Sequence, residues 1–101
     1  MKDPTIIFRA LADPTRRQIL KALKESDLRA GEIVDMFTMS APSVSRHLSI
    51  LKAAELISER RDGNSIIYHL HAEQLAVCLS EFISTVCPMD TVERQRKKKR
   101  S

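Results

Sequence analysis

In the stretch SAPSVSRHLSILK, residues 40–52, hydroxyls and cations crowd together: Ser40, Ser43, Ser45, Arg46, His47, Ser49 and Lys52. A second group, Arg60, Arg61, Gly63, Asn64 and Ser65, follows within a few residues. Neither group has the companions that bond-making chemistry needs. There is no Ser/His/Asp order, no paired carboxylates and no phosphate-cradling loop, and two glycines in the whole chain leave little loop in which to build one. The expectation is a protein that is not an enzyme and carries no cofactor. What these side chains can do is hydrogen-bond and neutralise negative charge. Serine hydroxyls and an arginine fork match phosphate oxygens and the edges of bases in a duplex groove.

Spacing says how the first group must be held. At 100° per residue, Val44, Leu48 and Leu51 make one apolar stripe of a helix predicted over 41–54. Pro42, Arg46, Ser49 and Ala53 then lie opposite, flanked by Ser43, Ser45 and Lys52, with Ser40 as N-cap. Small side chains on that outer face let the backbone sit deep in a groove while Arg46 reaches a base edge or a phosphate. His47 flanks the buried stripe, which suits packing or a phosphate contact better than base reading.

The second group surrounds a turn. Residues 56–61 and 65–70 read as two strands rich in β-branched side chains, separated by Asp62–Gly63–Asn64. A hairpin tip bearing Arg60 and Arg61 can approach phosphates or a minor groove, although Asp62 sets the apex itself back. Upstream, Pro4 to Ala12 predicts a short helix with Ile7, Phe8 and Leu11 on one side. Asp13–Pro14 restarts the chain into a second helix over 14–25, and a polar break leads to a third near 31–37. A last helix runs from about 72 to 87 and carries Leu75, Val77, Leu79, Phe82, Ile83 and Val86. That is too much apolar surface around one cylinder for a helix with a wet side, so a second copy of the chain is expected against it.

Size and charge bound the rest. The 101 residues, 43% apolar and 4% aromatic, make one mainly α domain over 1–88 with a small β-hairpin, and a basic, disordered tail over 89–101. The formal charge of +4 is misleading, because residues 94–100 hold six of the 17 basic side chains. The remainder has 11 basic against 13 acidic residues, so the duplex argument rests on the motif and not on bulk charge. The tail is read equally as a phosphate-gripping arm or as an inert one. No apolar run approaches the ~20 residues of a membrane span, and MKDPTIIFRA lacks a signal-peptide pattern. A cytoplasmic location without a membrane partner is expected.

With these residues in view, the chain resembles the ArsR/SmtB family of bacterial winged helix-turn-helix repressors. ALADPTRRQILKAL (10–23) is similar to the family's second-helix signature, MSAPSVSRHLSILKAAELI (39–57) to its recognition helix and first strand, and RRDGNSIIYHL (60–70) to its wing. The resemblance implies about five helices and a two-stranded wing. It also implies a homodimer formed by the first and last helices, through Ile7, Phe8, Leu11, Leu75, Leu79, Phe82, Ile83 and Val86, and repression by covering a palindromic promoter operator. Many relatives sense metals, and here the sequence departs from them. Arg29–Ala30–Gly31–Glu32–Ile33 stands where the arsenical and cadmium type carries Cys-x-Cys, and Ala72, Gln74, Thr85 and Pro88 stand at the zinc-type positions. No metal site is expected, and an unknown effector or partner protein would release the DNA.

Cys78 and Cys87 leave one alternative open. Nine helical residues turn them about 180° apart and separate them by roughly 13 Å, beyond disulfide reach within one chain. Pairing across a dimer, or a soft metal, would make them a switch; otherwise they are structural thiols. A winged helix used as a protein-interaction module is the other alternative, and it would want an apolar outer face where this one is rich in serine and arginine.

Overall fold

The first two helices begin alike. Asp3–Pro4–Thr5 and Asp13–Pro14–Thr15 each place an aspartate at the N-cap and a proline at the first helical position. The carboxylates accept from the Thr5 N–H at 2.9 Å and from the Thr15 N–H at 2.7 Å. In the computed structural model, which describes residues 3–88 and 94–95, they open α1 (Pro4–Leu11) and α2 (Pro14–Glu25). The chain continues through β1 (Leu28–Arg29), α3 (Ala30–Val34), α4 (Ala41–Ala53), β2 (Ile57–Asp62), β3 (Ser65–Leu70) and α5 (Ala72–Val86). Apart from Arg94 and Gln95, which are helical, the tail expected over 89–101 lies outside the described residues.

The core lies where α2, α3, α4 and the root of the hairpin meet. Ile19, Leu20 and Leu23 of α2, Ile33 of α3, Val44, Leu48 and Leu51 of α4, and Leu56, Ile57 and Tyr68 beside them are all buried. The stripe expected on α4 is therefore the stripe that packs, each full burial contributing about 1.5–3 kcal/mol. Ala54 closes α4, and Glu55 follows at a φ of 61°. The N–H of Glu55 donates to the Lys52 carbonyl at 2.9 Å and that of Leu56 to the Leu51 carbonyl at 3.1 Å, a Schellman ending with glutamate where glycine is usual. Leu56 thus belongs to the helix stop, and β2 begins one residue later than expected.

The hairpin pairs Ile57 with Leu70 and Asp62 with Ser65, leaving Gly63 and Asn64 as a two-residue turn. Gly63 has a φ of 62°, as the first central position of a type II′ turn requires. The two-stranded wing gains a third strand that the sequence did not announce. Leu28 and Arg29 pair antiparallel with Tyr68 and Ile67, giving the order β1-β3-β2. Two residues carry no periodicity, so the polar break hid them. The third helix is also shorter than its expected span, ending at Val34 and releasing the chain into turns that bring half-buried Phe37 and Met39 back onto the core. Five helices and a small antiparallel sheet in this order make a winged helix-turn-helix.

Candidate DNA interface

The sequence leads one to expect the interface on α4, and local chemistry opens that helix. Ser40 Oγ accepts the Ser43 N–H at 3.3 Å and donates to Ser43 Oγ at 3.0 Å. Ser43 is half-buried and keeps its own O–H to donate outward, while Ser40 is committed to the cap. Pro42, Ser45, Arg46, Ser49 and Ala53 are exposed on the side away from Val44, Leu48 and Leu51. Arg46 makes no ion pair among the described residues, so its guanidinium is available to a ligand. His47 is half-buried, with Nδ1 3.2 Å from Arg16 Nη1 on α2.

Lys52, at the far end of α4, is not available in the same way. Its Nζ forms a close ion pair with Glu59 on β2, and that hydrogen bond holds its ammonium above the usual lysine range. Tyr68 lies opposite Glu59 in the ladder; burial first, and the Glu59 carboxylate second, push its phenol up. The pair fixes which side of the hairpin faces α4. Glu59 and Arg61 share that side by strand alternation, and Arg61 makes no ion pair among the described residues.

Arg60 projects from the other side. It pairs with Asp27 at 3.1 Å, and Asp27 also binds His69 Nδ1 at 2.7 Å. The His69 hydrogen bond, with Arg60 second, holds the Asp27 carboxyl below the usual range. At the wing tip Asp62 pairs with Arg29 at 3.0 Å, so the carboxylate that would repel phosphate is neutralised from β1. The structure therefore divides the expected wing set. Arg61, Gly63 and Asn64 are exposed and Ser65 half-exposed, but Arg60 is engaged as a brace. Arg16, Asp27, Arg29 and Glu59 were missed by sequence reasoning. Their partners lie 31, 33 and 42 residues away for the first two, 33 for Arg29, and only seven for Glu59.

The residues expected to meet a second copy also divide. Ile7 is 1% exposed, used up by its own core because α1 turns it toward α2 and away from solvent. Its neighbour Ile6 is 39% exposed instead. Phe8 and Leu11 are half-buried, as are Leu75 and Leu79. The Phe8 ring meets Phe82 edge-on with centroids 5.0 Å apart. Of α5, only Cys78 is buried, and Val77, Phe82, Ile83 and Val86 remain between 37% and 58% exposed. Cys78 and Cys87 are both free thiols, the second half-buried at the helix end. Among the described residues, no three His, Cys, Asp or Glu side chains gather where they could hold a metal, and no helix is long and apolar enough to cross a membrane.

Known proteins share this arrangement. Residues 13–59, from the cap of α2 to β2, match the family model described as bacterial regulatory protein, arsR family. The transcriptional repressor SdpR of Bacillus subtilis is 51% identical over 69 residues, which is 68% of this chain and 77% of that protein. The regulator KmtR of Mycobacterium tuberculosis is 42% identical over 74 residues, 70% of this chain, and the match spans only 57% of that longer protein. The crystal structure of an ArsR family transcriptional regulator, RHA00566, superimposes with a TM-score of 0.75 at 27% identity, over 80% of this chain and 82% of that one. With a helix-turn-helix and a wing in the fold, and half of the residues shared with SdpR over two thirds of the chain, the chain belongs to the ArsR family of bacterial transcriptional regulators.

Proposed function

We propose that the protein is a cytoplasmic, sequence-specific transcriptional repressor that binds a palindromic operator as a homodimer and senses no metal. The carrying observation is the outer face of α4. Pro42, Ser45, Ser49 and Ala53 are exposed and small, and Arg46 alone among them is long, charged and unpaired among the described residues. Such a face enters a major groove closely, with Arg46 reaching a base edge and Arg61 on the same side of the wing reaching the flanking backbone. The exposed apolar residues of α5 and Ile6 of α1 support the dimer, since a soluble monomer gains nothing by leaving them in water. Residues 29–33 offer no thiolate or imidazole, which supports release by a small molecule or protein without soft-metal chemistry.

The experiment is enrichment of duplexes from a randomised library, followed by fluorescence anisotropy on the enriched duplex and on random duplex across a salt series. The expected site is two-fold symmetric, with half-sites about 34–36 Å apart or a multiple of that. Log affinity should fall linearly with log salt. Failure to enrich any sequence would reject DNA reading in favour of a protein-interaction module. An enriched site without symmetry would reject the dimer.

A further inference from the structure

Cations are out of place in the first turn of a helix, where unpaired N–H groups already carry partial positive charge. Arg16 and Arg17 nevertheless occupy that turn of α2. Their side chains fold back to the opposite kind of helix end. Arg16 Nε donates to the Ala10 carbonyl at 2.7 Å and Nη2 to the Arg9 carbonyl at 2.9 Å, while Arg17 Nη1 donates to the Leu11 carbonyl at 2.6 Å. Both arginines therefore cap α1. Arg16 alone has a third contact, from Nη1 to Nδ1 of His47 in the middle of α4.

That third contact selects between the two tautomers of a neutral ring. A guanidinium has donors only and stays protonated. Nδ1 must therefore accept, and the neutral imidazole carries its proton on Nε2. The Nε2–H has no partner among the described residues. Asp13, whose Oδ1 accepts the N–H groups of Thr15 and Arg16, is the acidic group beside the pair. A neutral N–H donor on a groove-facing helix suits a phosphate oxygen.

We propose that Arg16 is a positioning residue for DNA recognition. It ties the end of α1 to His47, fixes the rotational setting of α4, and holds the tautomer in which His47 donates from Nε2 to a DNA phosphate. The proposal rests on the reading of α4 as the groove helix. Because α1 also borders the proposed dimer surface, the same side chain links the element that spaces two recognition helices to the helix that reads.

The test compares wild type, Arg16→Lys, His47→Gln and the double variant. The probes are a duplex enriched by the wild type and random duplex of equal length, at about pH 8, where an ordinary imidazole is neutral. Lysine keeps a cation without the fork. Glutamine keeps a donor and removes Nδ1, while Arg16 still caps α1, so this variant guards against a folding defect. Each single change should weaken binding to the enriched duplex about tenfold, as loss of a charge-assisted hydrogen bond does. The double variant should lose no more than either, and random duplex should weaken by a similar factor, because a phosphate contact carries no sequence information. Ring 15N spectra should show Nδ1 bare and Nε2 protonated in the wild type, and mixed tautomers in Arg16→Lys. Additive losses, unchanged binding to random duplex, wild-type binding by His47→Gln, or a ring protonated on Nδ1 would each overturn the proposal. A wild type that enriches nothing overturns the DNA reading and this role with it, whereas enrichment with unaffected variants removes the positioning role alone.

Discussion

Arg46 and Asp27 stand for two kinds of surface residue, one without an ion pair among the described residues and one that is already paired. Arg46→Ala should leave stability within about 0.5 kcal/mol, since the side chain is exposed and supports nothing in its own fold. It should nonetheless weaken operator binding by about 1–3 kcal/mol and relax preference at one base pair per half-site, read by anisotropy on single-base variants. A uniform loss across sequences, with a shallower salt slope, would place Arg46 on phosphate instead. Asp27 is lowered in the folded chain by His69 and then Arg60. A depressed carboxyl stabilises fully above its ordinary value near pH 4, and that contribution is lost as pH falls through the lowered one. Melting temperatures of wild type and Asp27→Asn should therefore separate above about pH 4 and converge below it. The buried stripe of α4 was legible at this scale because helical periodicity alone sorts its residues. The pairs made by Arg16, Asp27 and Arg29 were not, because a surface charge carries no period and its partner lies more than thirty residues away. Two arginines in the first turn of α2 were the one visible oddity.

At the scale of elements, caps and turns carried most of the legible information. The Asp–Pro steps, the Ser40 cap and Gly63 each announce a boundary through a hydrogen bond or a backbone angle that few residues can supply. Boundaries without such chemistry were misplaced. The third helix stops early at Val34, and β1 exists only because β3 offers Tyr68 and Ile67 as partners. The end of α4 is the informative exception, a helix stop made without glycine. Glu55 holds a left-handed angle that disfavours any residue with a Cβ. Glu55→Gly should raise stability by about 0.5–1 kcal/mol in chemical denaturation. Glu55→Ala should not, because alanine keeps the Cβ; a gain from both would point to the carboxylate and not to the backbone.

For the whole molecule, the architecture was legible because the order of elements, two helices across a turn and then a hairpin, leaves few ways to pack. Which apolar side chains face outward was less so, since α1 presents Ile6 where helical spacing had favoured Ile7. Val86, 58% exposed on α5, supports the proposed dimer and little else. Val86→Glu should give monomers in sedimentation at concentrations where the wild type is dimeric, with operator affinity falling in step; an unchanged dimer would remove α5 from the interface.

A helix of 15 residues that buries one side chain has further consequences. In the proposed dimer its anchorage is deferred to an encounter between two molecules, so the melting temperature should climb with protein concentration by mass action. The amount of reader competent for DNA would then scale with the square of the chain's abundance when copies are few. Repression would switch on over a narrow range of synthesis, with the threshold set by how tightly two last helices hold each other.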